Sequence, residues 1–266
     1  MAEATLANDE LFRFLSGIPD SSAHLVVLQR GDIADAVVCE AFRVLVPGGL
    51  VLAFTATPSI AAASNTLVSA GFRIRDTLAW IKPNVQSTSF GLGHVVRNSD
   101  AYESRRAEIL ERLSGKRTLR LRNAFVPIVL AQRPYQGTLI GNQLAHDAGM
   151  MNETRNAAGL LLPNVLVTAF GDEASYDHAF LVARPPHTTV GEELQRLLYH
   201  LFATFTHAGA TIVDPAADTG ASWAAAMLLG RRFLGNEHRR DAHHKACAHA
   251  ASVAEALQRA ATSSPR

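Results

Sequence analysis

The stretch from Ala210 to Glu237, ATIVDPAADTGASWAAAMLLGRRFLGNE, restricts the possible folds of this chain more than any other. Thr211-Ile212-Val213 is a short β-branched run suited to a buried strand, and Asp214-Pro215 ends it. Ala216 to Gly220 is a turn of small residues. Ala221 to Leu229 is Ala-rich and forms helix readily, with Gly230 placed as its C-cap. Arg232-Phe233-Leu234 reads as a second strand, and Glu237 sits just past its carboxyl end. Strand, small turn, helix, strand and acid is the grammar of a nucleotide-binding βαβ unit. The turn admits a ligand to the backbone, the helix start offers free N–H groups, and the acid accepts hydrogen bonds from a ribose diol. A parallel βαβ unit without any ligand has the same pattern, so spacing alone leaves both readings open.

The remainder of the chain extends this unit. His24 to Leu28 (HLVVL) reads as a buried strand, followed by Gln29-Arg30-Gly31-Asp32 and a helix from about Ile33 to Leu45. Pro47-Gly48-Gly49 reads as a turn, with a second strand over Leu50 to Phe54. A helix over Ser59 to Ala70 is expected to end at Gly71, and Phe72 to Ile81 to form a strand. Upstream, Leu6 to Leu15 is weakly amphipathic. Residues 84–123 are a basic excursion with one helix over Ala101 to Leu113, and residues 135–164 an irregular one. Pro127 to Gln132 is a strand, and Asn164 to Thr168 with Ala179 to Ala183 reads as a possible hairpin. Gly191 to Phe205 and Arg239 to Ala261 are helices. Strands alternating with helices predict an α/β doubly wound, mostly parallel sheet with antiparallel additions, in a single domain over residues 1–266.

With 48% hydrophobic residues the chain can bury such a core. Its formal charge of +1 provides no global field toward nucleic acid, although local basic patches remain possible. Cys39 and Cys247 make no disulfide framework and fit a reducing cytoplasm. No apolar run is long enough to cross a bilayer and no signal pattern opens the chain, so a soluble cytoplasmic protein is expected.

Several phrases resemble the amino-group DNA methyltransferases of the circularly permuted type common in phages and prophages, which methylate adenine N6 or cytosine N4. They include Phe42 to Gly49 (FRVLVPGG), Ala70 to Asp76 continuing to Trp80, and Pro127 to Pro134 beside the family's "EPIVLARKP". Leu162 to Val165 resembles "WPANV", Asp214 to Gly220 stands at "DPFxGSG", and Gly230 to Glu237 at "GRRFIGIE". The resemblance implies a Rossmann-like fold that binds S-adenosylmethionine. It places Asp9 at the adenine end, Glu237 on the ribose, and Asp214, Asp218 and Gly220 in the cofactor loop.

The departures from the family pattern fall on its chemistry. Where the family carries Asp/Asn/Ser-Pro-Pro-aromatic, whose acceptors orient the target amine and whose ring stacks on the flipped base, this chain has Gln29, Arg30, Gly31 and Asp32. Gln29 could accept an amine proton, but Arg30 would bring a positive charge toward a cationic sulfonium. Ala216 replaces the usual Phe and Asp218 a usual Gly, adding a Cβ and a carboxylate in the loop. The family's "HPTxKP" is reduced to His187-Thr188-Thr189-Val190-Gly191-Glu192.

Between Arg97 and Arg122 lie eight Lys/Arg and four acids. Arg97, Arg105, Arg106, Lys116, Arg117, Arg120 and Arg122 are candidate phosphate contacts, although i,i+4 pairs such as Glu108 with Arg112 describe an ordinary solvated face equally well. His243 and Cys247 share a helix face that could form half a zinc site, but further ligands are not evident, so no metal is expected. Cys39 is expected to be buried within its helix, and hence no nucleophile. The sequence therefore predicts a non-catalytic family member, or pseudoenzyme, binding DNA and partnering a catalytic methyltransferase subunit or a second copy of itself. An active S-adenosylmethionine-dependent methyltransferase with an altered site is the alternative, and a structural module whose pocket is filled by its own side chains is a third.

Overall fold

Two strands buried on both faces anchor the architecture, as parallel sheets covered by helices require. In this computed structural model β2 (Ala23–Leu28) and β8 (Thr211–Asp214) lie side by side in parallel. The structure describes residues 4–29, 33–81, 89–121, 124–154, 161–167, 180–181 and 193–263. The chain divides into two compact units, Met1–Ile81 with Val126–Arg266, and Lys82–Phe125.

In the larger unit β1 (Ala4–Ala7), β3 (Leu45–Phe54), β4 (Arg73–Ile81), β5 (Phe125–Gln132), β6 (Val165–Val167), β7 (Phe180–Leu181) and β9 (Arg232–Asn236) complete one sheet. Its order is β1-β9-β8-β2-β3-β5-β4-β6-β7. The run β1-β9-β8-β2-β3 is parallel throughout, and β5 pairs antiparallel with β3. Counted from β8 as first strand, with β1 following β9 around the chain ends, this run reads 3-2-1-4-5, the doubly wound order. The expected mostly parallel α/β sheet with an antiparallel addition is therefore present, in the circularly permuted arrangement.

Alternation along the central strands supplies one core to each face. Leu25, Val27, Leu52 and Ile212 pack beneath α7 (Glu193–Phe205) and α8 (Ala221–Leu228), where Leu197, Leu201, Phe202 and Ala225 are fully buried. Val26, Leu28, Val51 and Val213 pack on the other side against α1 (Leu11–Ser16), α2 (Asp35–Val44) and α3 (Ile60–Ser69). The closing helix α9 (Arg240–Ser263) packs against α8. No helix among the described residues is long and apolar enough to cross a membrane.

Four local expectations are corrected. The Pro47-Gly48-Gly49 turn lies inside a strand: Ala23 faces Leu45 and Leu25 faces Leu50, so Val46–Gly49 bulges from the ladder, with Gly48 at φ +81°. A Cβ on Gly48 would stand 2.5 Å from Asn142 Nδ2, which explains the glycine. The proposed hairpin is instead a parallel pair, Leu166 facing Phe180, and parallel strands cannot be joined by a tight turn. The weakly amphipathic stretch Leu6 to Leu15 divides: Leu6 and Ala7 end an edge strand over residues 4–7 on β9, and α1 starts only at Leu11. The irregular stretch after Tyr135 contains α6 (Leu139–His146), capped by the Thr138 hydroxyl, which accepts from the Gly141 N–H, and closed by left-handed Asp147.

In the smaller unit, after α4 (Gly93–Arg97), the helix expected over Ala101 to Leu113 is a 3-10 turn over Asp100–Arg105 followed by α5 (Arg106–Arg112).

Candidate functional site

Progression through the sheet reverses between β8 and β2, since β8 leads to β9 on one side and β2 to β3 on the other. Ligands of doubly wound sheets bind at the carboxyl ends of strands at such a switch point. Asp214 ends β8, Gln29 follows β2, Glu237 follows β9, and Asp9 lies two residues beyond β1. Residues up to 229 positions apart in sequence are thereby brought to one edge, where Asn8 Nδ2 donates to the Glu237 carbonyl at 2.6 Å.

Asp214 is fully buried, and its carboxylate accepts from Ser222 Oγ at 2.5 Å and from the Ala216 N–H at 3.1 Å. Gln29 Nε2 donates to the same carboxylate at 3.5 Å, spanning the switch point. The Asp9 carboxylate accepts from the Glu10 N–H at 2.8 Å and lies 3.6 Å from Arg13. The backbone of Asp9 is held by Asn236, which is fully buried, accepts from the Asp9 N–H and donates to the Asp9 and Pro215 carbonyls. Ser222 and Asn236 are site residues that the sequence reading missed. A buried Asn beside the acid at a strand end is the signal that could have found the second of them.

Glu237 is 1% exposed and its carboxylate is surrounded by N–H donors. Oε2 accepts from the Asp218 N–H at 3.0 Å, and Oε1 from the Arg239 N–H at 2.9 Å and Arg239 Nε at 3.0 Å. Arg239 Nη2 lies 3.4 Å from Oε2 and donates to Asp218 Oδ1 at 2.6 Å. Burial alone would raise the Glu237 pKa, but the Arg239 and Asp218 donors outweigh it and hold the carboxyl below the ordinary range. Arg239 is held correspondingly higher, chiefly by its bond to Glu237. Asp218 takes a left-handed φ of +42°, a conformation that favours the glycine usual at its place in the resembled family.

Gly220 also has a positive φ, +78°, at the start of α8, and a Cβ there would lie 3.0 Å from Cα and the carbonyl oxygen of Ala246 on α9. In this structure the glycine admits a helix. Gly220→Ala is expected to destabilise the protein by about 2 kcal/mol, from left-handed strain plus overpacking. Urea unfolding checks this, and a loss below about 0.5 kcal/mol would remove the packing role.

Arg30, Gly31 and Asp32 lie outside the described residues, as do Arg122 and the stretch His187 to Glu192. A depression of about 300 Å³ is lined by Ile33, Phe54, Thr55, Ser59, Ala63 and Thr66 among others, with no titratable side chain among the described residues. No group of three or more His, Cys, Asp or Glu among the described residues could hold a metal ion. Cys247 Sγ lies 3.9 Å from the His243 ring, which itself reaches the Leu6 carbonyl at 3.3 Å. Cys39, expected to be buried, is exposed, because α2 buries Val37, Val38, Ala41 and Val44 and position 39 points off that face.

In the smaller unit Arg105 chelates Glu108 at 2.8 and 2.9 Å, and Arg112 reaches the same carboxylate at 3.7 Å. Arg117 donates to Ser89 Oγ at 2.8 Å, and Arg106 lies 3.4 Å from the Ser99 carbonyl. Arg97, Lys116 and Arg120 are exposed. Part of the predicted basic set thus satisfies local partners while these three face solvent.

No family model matches the chain. The type II methyltransferase M.HindIII of Haemophilus influenzae is 28% identical over 208 residues, which span 74% of this chain but 62% of that protein. A Thermus thermophilus protein described as a DNA modification methylase, solved with S-adenosyl-L-methionine, superposes with a TM-score of 0.56 and 18% identity over 95% of this chain and 94% of its own. The PvuII cytosine-N4-specific DNA methyltransferase gives 0.58 and 10% over 97% and 93%. The Rossmann-like methyltransferase fold and the resemblance to DNA methyltransferases are borne out.

Proposed function

We propose that this relative of type II DNA methyltransferases is a non-catalytic member of an adenine-N6 or cytosine-N4 DNA methyltransferase system, contacting DNA and supporting a catalytic subunit. The carrying observation is the run Gln29 to Asp32. Gln29 stands where the resembled family presents its amine acceptor, and its Nε2 is directed at buried Asp214. A target amine needs an acceptor at that place, and the Gln29 amide, tethered through Nε2, still carries an acceptor oxygen. Arg30, Gly31 and Asp32, however, stand where Pro-Pro-aromatic would hold the base and orient the nitrogen lone pair toward a methyl group. The depression lined by Ile33 adds no acid or base among the described residues. Exposed Arg97, Lys116 and Arg120 support the DNA-contacting half, since cations on an open surface release counterions from the duplex.

The test supplies purified protein with labelled S-adenosylmethionine and DNA of varied sequence. No transfer is expected, while DNA binding should weaken steeply with salt and weaken further in the Arg97→Ala, Lys116→Ala, Arg120→Ala triple variant. Transfer above background sinks the proposal. Salt-independent binding, or none, sinks its DNA half.

The second reading is an S-adenosylmethionine-dependent methyltransferase with an altered site. Asp9, Asp214 and Glu237 gathered at one sheet edge favour it, as the polar set such a cofactor would need.

A further inference from the structure

The carboxylate of Glu237 has its hydrogen-bonding capacity taken up from within the chain. An ionised carboxylate offers about four acceptor positions, and four N–H groups reach this one: the Asp218 and Arg239 backbones, Arg239 Nε and Arg239 Nη2. Two of these come from a single side chain. They are presented as a fork of adjacent donors, the arrangement that a ribose diol would also use. The same guanidinium is tied outward to Asp218 Oδ1. That contact gives a reason for an aspartate at φ +42°, where its side chain is strained and a glycine would not be. The Arg239 side chain is 56% exposed, so it can leave by rotating into solvent without unpacking the core.

We propose that Arg239 is a latch on the ribose seat: it occupies Glu237 in the resting protein, Asp218 is its outer anchor, and a ribose-bearing ligand binds only when the guanidinium is displaced. The inference rests on reading Glu237 as the ribose acid of a methyltransferase-type crevice. It follows that apparent affinity for an adenosine-type ligand is reduced by the fraction of molecules in which the latch is seated.

Calorimetric titration with S-adenosylmethionine and S-adenosylhomocysteine tests it on the full chain. Arg239→Ala is expected to bind both roughly tenfold or more tightly than the unaltered protein, the scale of a removed conformational cost. Asp218→Gly, which frees the anchor and suits the left-handed backbone, should give a smaller gain in the same direction. Adding Glu237→Gln to Arg239→Ala should abolish the gain, since the diol then loses its charged acceptor. Circular dichroism checks each fold, and Asp218→Gly carries the test should Arg239→Ala fail to fold. Equal affinity with and without Arg239, whether both proteins bind or neither does, overturns the latch. A gain confined to S-adenosylmethionine also overturns it, because only that ligand carries the sulfonium and charge repulsion would then suffice. Methyl transfer by the unaltered protein would overturn the non-catalytic reading, and the affinity ratio would still decide the latch by itself.

Discussion

Acidification from pH 7 to pH 4 is expected to cost the fold about 2–3 kcal/mol through His24 alone, the lower figure allowing for solvent that reaches the half-buried ring. His24 lies on β2, where its Nδ1 accepts the Thr211 N–H at 3.1 Å and its ring meets His207 edge-on with centroids 4.7 Å apart. A protonated Nδ1 would face that N–H donor with a second donor. Burial is the largest cause that pushes its pKa from 6.5 to about 4, followed by the like charge of His207, with Asp147 and the His146 backbone opposing. The sign follows from which state takes up the proton. Above pH 6.5 neither folded nor unfolded chain binds it, and His24 contributes nothing. Between pH 6.5 and about 4 the unfolded chain is protonated and the folded chain is not, so stability falls as pH falls. Below about 4 both are protonated and the loss levels off. Glu237, held below the ordinary carboxylate range, adds its own loss only at the acid end of that window. Urea unfolding at several pH values from 7 to 4 measures the slope. His24→Asn, which keeps an acceptor for Thr211, should flatten it, and an unchanged slope in that variant would refute the assignment.

Arg231→Ala should lower stability by about 3 kcal/mol, the scale for leaving buried acceptors without donors. Arg231 is 8% exposed, and its guanidinium is bonded to neutral oxygens: Thr206 Oγ1 at 3.2 Å, the Thr206 carbonyl at 2.8 Å and the Leu229 carbonyl at 2.5 Å. These contacts pin the segment before β9 to the end of α7, so that β9 enters the sheet at a fixed height. Burial depresses the Arg231 pKa, with Tyr199 opposing. Arg231→Lys should recover less than half of the loss, because one ammonium cannot reproduce the planar fork that spans two residues. Thermal and urea unfolding together measure both variants. A cost below about 0.5 kcal/mol for Arg231→Ala would mean that water or a neighbour satisfies the same carbonyls.

The same residue shows how a sequence reading reaches its limit. Gly230 to Glu237 is legible as a strand phrase ending in an acid, and the strand is present. Nothing in the phrase reveals that Arg231 is an internal staple, that Arg232 is exposed, or that Arg239 turns back onto Glu237. Similarly, Gly220 reads as a cofactor-loop glycine, yet its open space is taken by Ala246, which lies 26 positions further along the chain on α9. Cys39 escapes such a reading because its helix presents one buried face only, and a single residue off that face is solvent-exposed.

Apolar runs such as HLVVL and TIVD, alternating with helical stretches, are enough to specify the doubly wound sheet and its central strands. Local propensity and burial are properties of neighbouring residues, and these can be read along the chain. The order of chemistry-bearing positions past Leu28, Asp214 and Asn236 is also legible, since strand ends fix which residues face the crevice. The partners of those positions come from the assembled fold. It gives Gln29 to Asp214 across 185 residues and Asn8 to Glu237 across 229, and it closes the short loop of Asp218, Glu237 and Arg239. Long side chains choose partners by distance and donor geometry in three dimensions, and those distances exist only once the sheet has assembled.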